Sequence, residues 1–126
     1  MKTYFISGHR LISQEKFDEF YVPEIDKALK EESRFVVGDC DGVDFMAQKY
    51  LVSRGATDRL TVYHMFEAPR NLASPGIKTI GGFKSDLGRD SKMTEDSDSD
   101  IAFIRFGAWG SGTAQNILRR HERSFQ

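Results

Sequence analysis

At 126 residues, with 18 basic and 19 acidic side chains and a net charge of −1, the chain has the length of one domain and no charge excess that would draw it to nucleic acid or an anionic membrane. Its 39% hydrophobic and 29% charged content excludes the disordered and fibrous classes and leaves a globular chain with one core. Cys40 is the single cysteine, which excludes an intrachain disulfide and a thiolate zinc site of the finger type and fits a reducing compartment; as a separate expectation, no metal or cofactor is called for.

Taken in chain order, Thr3-Tyr4-Phe5-Ile6-Ser7 predicts a strand over 3–7, closed by the turn Ser7-Gly8-His9-Arg10. Ser13 then caps a helix running to about residue 31, with Phe17, Phe20, Tyr21, Ile25, Ala28 and Leu29 at helical spacing toward a sheet. Pro23 kinks this helix or splits it in two. A second strand over 34–37 leads into the turn Gly38-Asp39-Cys40-Asp41-Gly42. Beyond it, Val43, Met46, Ala47, Tyr50 and Leu51 form a helical stripe that ends near Gly55, with Asp41 as its N-cap. Leu60-Thr61-Val62-Tyr63-His64-Met65 reads as a third strand. Residues 66–84 carry Pro69, Pro75 and glycines without periodicity and read as a long loop, of the kind that is functional or mobile in a compact domain. A helix over 86–95, a strand over 100–106 and a helix from Thr113 to about Arg123 complete the pattern. The last helix is opened by the turn Gly110-Ser111-Gly112-Thr113. No apolar stretch approaches the roughly 18 residues of a membrane helix, and no signal-peptide pattern is present; a cytoplasmic protein without a membrane partner is expected.

Strands alternating with helices predict one Rossmann-like three-layer α/β domain over 1–126, with a mostly parallel sheet of four or five strands. A parallel sheet places the three glycine turns on one edge, where backbone N–H groups and helix N-termini attract anions. In the first turn Gly8 permits close approach, and Ser7, His9 and Arg10 add hydrogen bonds or charge. In the second, Gly38 and Gly42 bracket Asp39 and Asp41, with Asp44 one turn into the helix. Such carboxylates bind ribose hydroxyls, hold a cation or act as general base, or else cap the helix and favour its positive end. In the third, Gly110, Ser111, Gly112 and Thr113 offer N–H groups and hydroxyls suited to a phosphate, although the lysine and glycine spacing of a Walker loop are missing. Arg70, Asn71 and Arg89 are further phosphate candidates, and Trp109 either stacks on a base or plugs the loop. His9, His64 and His121 lack metal-ligand spacing.

Three pieces of the chain resemble the SLOG superfamily, the Rossmann-like nucleotide-binding domains related to the lonely-guy phosphoribohydrolases and to DNA-processing protein A. They are Ile6–Arg10, then Val36–Ala47, whose glycine turn and helix are similar to the family's Gly-x-Asp-x-x-Ala pattern, and finally Arg89–Asn116. The last is similar to the family's Arg-x-x-x-Met helix, matched by Arg89 and Met93, followed by an apolar strand and a Gly-x-Gly-Thr turn. The resemblance implies a nucleotide-binding fold over nearly the whole chain and, as in related families, a homo-oligomer. In lonely-guy enzymes the last turn ends in a catalytic Glu; Trp109 and Asn116 depart from that pattern, and an amide supplies no charge and accepts no proton. Related nucleoside deoxyribosyltransferases use a nucleophilic Glu, and Asp39, Asp41 and Glu67 are the carboxylates available for such N-glycosidic chemistry. The expectation is a binder of a small nucleotide or nucleotide-derived ligand. The alternatives are a nucleoside N-glycosidase or transferase, and an oligomeric interaction module with a vestigial pocket.

Overall fold

The computed structural model describes residues 1–104 and 111–123. They form an α/β fold in which a five-stranded, all-parallel sheet lies between two layers of helices. Its strands are β1 (Thr3–Ser7), β2 (Arg34–Gly38), β3 (Leu60–Met65), β4 (Lys78–Phe83) and β5 (Ser99–Ala102), in the spatial order β4-β3-β2-β1-β5. The chain steps outward from β1 to β4, then returns to place β5 on the other side of β1. The strand order therefore reverses between β1 and β5.

Strand alternation sorts the core into two halves. Ile6, Val37, Phe35, Leu60 and Val62 point to one face, where they pack with α1 (Gln14–Phe20), α2 (Val22–Lys30) and α3 (Val43–Ser53) through Phe17, Ile25, Ala28, Val43, Ala47 and Leu51. Phe5, Val36 and Tyr63 point to the other face and meet Met93 of α4 (Asp86–Glu95), which also packs against α5 (Gly112–Arg123). Central strands covered on both faces need continuous apolar runs, as in Phe35-Val36-Val37. Each fully buried Phe, Leu or Ile of this set is worth about 1.5–3 kcal/mol.

Local chemistry sets the boundaries. The Ser13 hydroxyl accepts from the Lys16 N–H at 3.1 Å and caps α1, and Pro23 lies in the first turn of α2, where its missing N–H costs nothing. The expected long helix is thus two helices. Phe20, expected to face the sheet, is 41% exposed, because the break at Tyr21 turns it outward against the Phe103 ring. Asp41 does not cap α3: Gly42 occupies the N-cap position with no side-chain cap, and Asp41 pairs with Arg10 instead.

The expected loop over 66–84 contains β4. This edge strand is half-exposed or exposed throughout, so Lys78, Thr79, Gly81 and Gly82 need no apolar alternation, and the Gly81 backbone lies against the buried His64 ring. β5 runs from Ser99 to Ala102, shorter than the expected strand over 100–106, of which 105 and 106 lie outside the described residues. No helix among the described residues is long and apolar enough to cross a membrane.

Candidate ligand-binding cleft

Parallel pairing brings the C-terminal ends of β1, β2 and β5 to one sheet edge, and a cleft of about 570 Å3 opens there. Ser7 to Leu11 after β1, Cys40, Asp41 and Asp44 after β2, and Asp86, Arg89, Asp90 and Met93 of α4 form its walls. Ser111, Gly112, Thr113 and Asn116 of α5 complete them. The three glycine turns of the sequence therefore converge, apart from Gly110, which lies outside the described residues with Trp109. The crevice beside a reversal of strand order is where open α/β sheets bind ligands.

Gly42 joins the first two turns. Its φ is +71°, a conformation that L side chains rarely adopt, and a Cβ on it would stand 2.5 Å from the Arg10 Cα and the His9 carbonyl oxygen. The Val43 N–H donates to that same carbonyl at 3.2 Å. Gly38 serves a different purpose: a Cβ there would lie 2.5 Å from Asp44 Oδ2 and 3.2 Å from Arg89 Cζ, so its bareness makes room for both groups at the end of β2.

Asp39 is fully buried and lies behind the cleft rather than in its walls. Its carboxylate accepts from the Arg70 backbone N–H at 2.9 Å, from Arg70 Nε at 3.1 Å and Nη2 at 2.9 Å, and from Arg89 Nη1 at 2.8 Å. Asn71 Nδ2 donates to the Asp39 carbonyl at 3.0 Å. Arg70 and Asn71 thus fasten the loop after β3 to the end of β2. Burial pushes the Asp39 carboxyl up, but the Arg70 hydrogen bonds and the Arg70 and Arg89 charges bring it below its ordinary value. A carboxylate held this way is an anchor, with its lone pairs already engaged.

Arg89 is 4% exposed and its donors are all directed at protein groups. Nε donates to Asp90 at 3.1 Å and Nη1 to Asp39 at 2.8 Å and Cys40 Sγ at 3.5 Å. Nη2 is 3.0 Å from Asp90 and 3.5 Å from Asp86. Burial works against its charge, and Asp90, Cys40 and Asp44 outweigh it, leaving the guanidinium firmly ionised.

Asp44 behaves in the opposite way to Asp39. It lines the cleft, accepts from the Cys40 N–H at 3.1 Å, and is pushed up to about 7 by burial and by the charges of Asp90 and Asp39, against the Arg89 charge. Burial also raises Asp90, against Arg89 and a hydrogen bond from the Asn116 amide. Asp44 binds its proton more readily in the folded chain than in the unfolded one, so its contribution is complete below the ordinary carboxylate value near ~4 and is lost as pH rises through about 7. Each tenfold change in proton affinity is worth about 1.4 kcal/mol, which sets an upper bound of about 4 kcal/mol over that window. Asp44→Asn is expected to remove this slope and to raise stability at about pH 8, as read by urea denaturation at a series of pH values. An unchanged slope would place the titrating group elsewhere.

The remaining sequence candidates divide. Arg10 and Asp41 form an exposed pair at 2.7 Å on the cleft rim, and His9 lines the cleft. Glu67 is exposed on the loop after β3 and is not among the described walls. Ser111 caps α5 by accepting from the Ala114 N–H at 3.1 Å, while Gly112 and Thr113 stand at the helix start facing the cleft. Asn116 is buried; its Oδ1 accepts from Arg119 Nη1 at 2.7 Å and its amide donates to Asp90. Ser7 is the informative one: it is 6% exposed and lines the cleft, and its hydroxyl has no hydrogen-bond partner among the described residues.

An apolar groove of about 500 Å3 adjoins the cleft and shares His9 and Leu11 with it. Phe20, Tyr21 and Phe103 give it flat ring surfaces, with the Tyr21 hydroxyl donating to the Ser7 carbonyl at 2.8 Å and accepting from the Phe103 N–H at 3.2 Å. Among the described residues no group of three or more His, Cys, Asp or Glu is placed to hold a metal ion.

Sequence reasoning did not single out Asp86 and Asp90, or the place of Met93 in the cleft wall. Their signal is present: 86, 89, 90 and 93 are spaced as one face of a helix. No protein-family model, no curated protein and no solved structure matches the chain, and its reading rests on its own geometry.

Proposed function

We propose that the cleft binds a small nucleotide or nucleotide-derived ligand. The observation that carries this reading is the convergence of the β1 and β2 turns and the α5 start at the reversal of strand order, around a cleft of about 570 Å3. The adjoining groove supports it, because ring-walled apolar surface suits a flat base beside a polar sugar site. A panel of nucleosides and nucleotides is expected to raise the melting temperature, since saturation at a hundredfold over Kd stabilises by about 2.7 kcal/mol. Gly112→Asp tests the site: a Cβ on Gly112 meets nothing within 4 Å, so the variant keeps the fold while placing bulk and charge in the cleft. It is expected to abolish the shift. A panel that moves neither protein overturns the reading.

Cleavage or transfer at an N-glycosidic bond is the second reading, favoured by Asp44. A carboxyl that keeps its proton close to neutrality, in a cleft wall, is suited to protonating a departing base. In this reading Asp44 takes the role that the sequence offers to Asp39, Asp41 or Glu67. Chromatography of the same panel after incubation would show free base with the parent chain and none with Asp44→Asn.

A further inference from the structure

The charge of the cleft is at odds with a phosphate-rich ligand. Its described walls carry Asp41, Asp86 and Asp90, beside the Asp44 carboxyl that holds its proton close to neutrality, against two arginines, Arg10 and Arg89. Neither arginine is an uncommitted cation. Arg10 is paired with Asp41 at 2.7 Å, and every nitrogen of Arg89 is directed at Asp39, Asp86, Asp90 or Cys40. A polyphosphate entering this space meets like charge at short range in a partly desolvated site, where such repulsion is large. The α5 N-terminus alone supplies about half a positive charge.

What the cleft does offer is hydroxyl chemistry. The Ser7 hydroxyl is buried and unpartnered among the described residues, and a buried hydroxyl without a partner is costly enough to call for one. Asp44 and Asp90 stand in the same walls, and carboxylates paired with sugar hydroxyls are a recurrent device of this sheet edge.

We propose that the ligand is an uncharged nucleoside with free sugar hydroxyls, one of which bonds Ser7 Oγ, and that the aspartates of the cleft reject nucleoside polyphosphates. This rests on the nucleotide-type reading above and narrows it. The test is calorimetric titration, in low salt, of adenosine, guanosine, cytidine and uridine and of their four 5′-triphosphates.

At least one nucleoside is expected to bind tenfold or more tightly than its own triphosphate. Ser7→Ala is expected to weaken that nucleoside about tenfold while leaving the melting temperature of the free protein unchanged or higher, because it deletes an unsatisfied buried group. A merely structural serine would give the reverse, a lower melting temperature with affinity intact. The double variant Asp41→Asn, Asp86→Asn changes two exposed aspartates. It is expected to strengthen triphosphate binding about tenfold and so to narrow the preference for the nucleoside.

A triphosphate that binds as tightly as its nucleoside overturns this proposal and leaves the nucleotide-type reading standing. Unchanged nucleoside affinity in Ser7→Ala overturns the assigned contact. Silence from all eight compounds overturns both.

Discussion

Gly42→Ala is expected to lower stability by roughly 3–5 kcal/mol and to abolish ligand binding. A side chain at φ +71° and ψ −131° occupies backbone space that glycine alone enters readily, at about 1–3 kcal/mol, and overpacking adds a similar amount. The overpacking is not relieved by rotating a neighbour. The atoms that a Cβ would meet, 2.5 Å away, are the Arg10 Cα and the His9 carbonyl oxygen, and moving them moves the whole turn after β1. Denaturant titration reads the loss, and Gly112→Ala, with open space around the new Cβ, should stay within about 0.5 kcal/mol of the parent. If both variants unfold at the same denaturant concentration, the two turns do not touch as described.

Replacing Asp39 comes second, with an expected cost of roughly 3–5 kcal/mol, the range for breaking a buried ion pair by removing one partner. Asp39→Ala takes from Arg89, at 4% exposure, one of its carboxylate partners, leaving Asp90 and Asp86, and removes four of the hydrogen bonds that hold Arg70 and Arg89 to the end of β2. The loop after β3 should then become cleavable by protease under native conditions, while β1 and α3 stay protected. Asp39→Asn separates an anchor from a catalytic base. An anchor loses stability and binding together, whereas a base would leave the melting temperature alone and lose turnover only.

The alternation of apolar runs and helical stripes made the layers of the fold legible from sequence, because those patterns are local: Ser13 caps, Pro23 divides, and Phe35-Val36-Val37 must be covered twice. β4 was not legible, since an edge strand with Gly81 and Gly82 and little burial carries no alternation. Within the cleft the glycine turns announced themselves. Which aspartate does what did not, because the division between Asp39, Asp41 and Asp44 is made by arginines far away in the chain: Arg10, 31 residues from Asp41, draws it to the rim, Arg70, 31 residues from Asp39, locks it inward, and Arg89, 50 residues from Asp39, is shared. Charge commitments of that kind are tertiary, and spacing along the chain does not encode them.

The placement of β5 has a consequence for the order in which the molecule is assembled. β1 pairs with β2 on one side and with β5 on the other, and the Thr3 N–H and carbonyl are both bonded to Asp98, at 2.9 and 2.8 Å. During synthesis the first four strands therefore emerge with one long edge of β1 unpaired, and an open edge of this kind invites pairing with other chains. The contact that closes it joins residues separated by almost the whole described sequence, the slowest type to form. It is also the contact that brings α5 to the cleft. Pairing of the β1 edge and completion of the cleft are thus one late step, and on the proposed reading a nascent chain could take up a ligand only after that edge is paired.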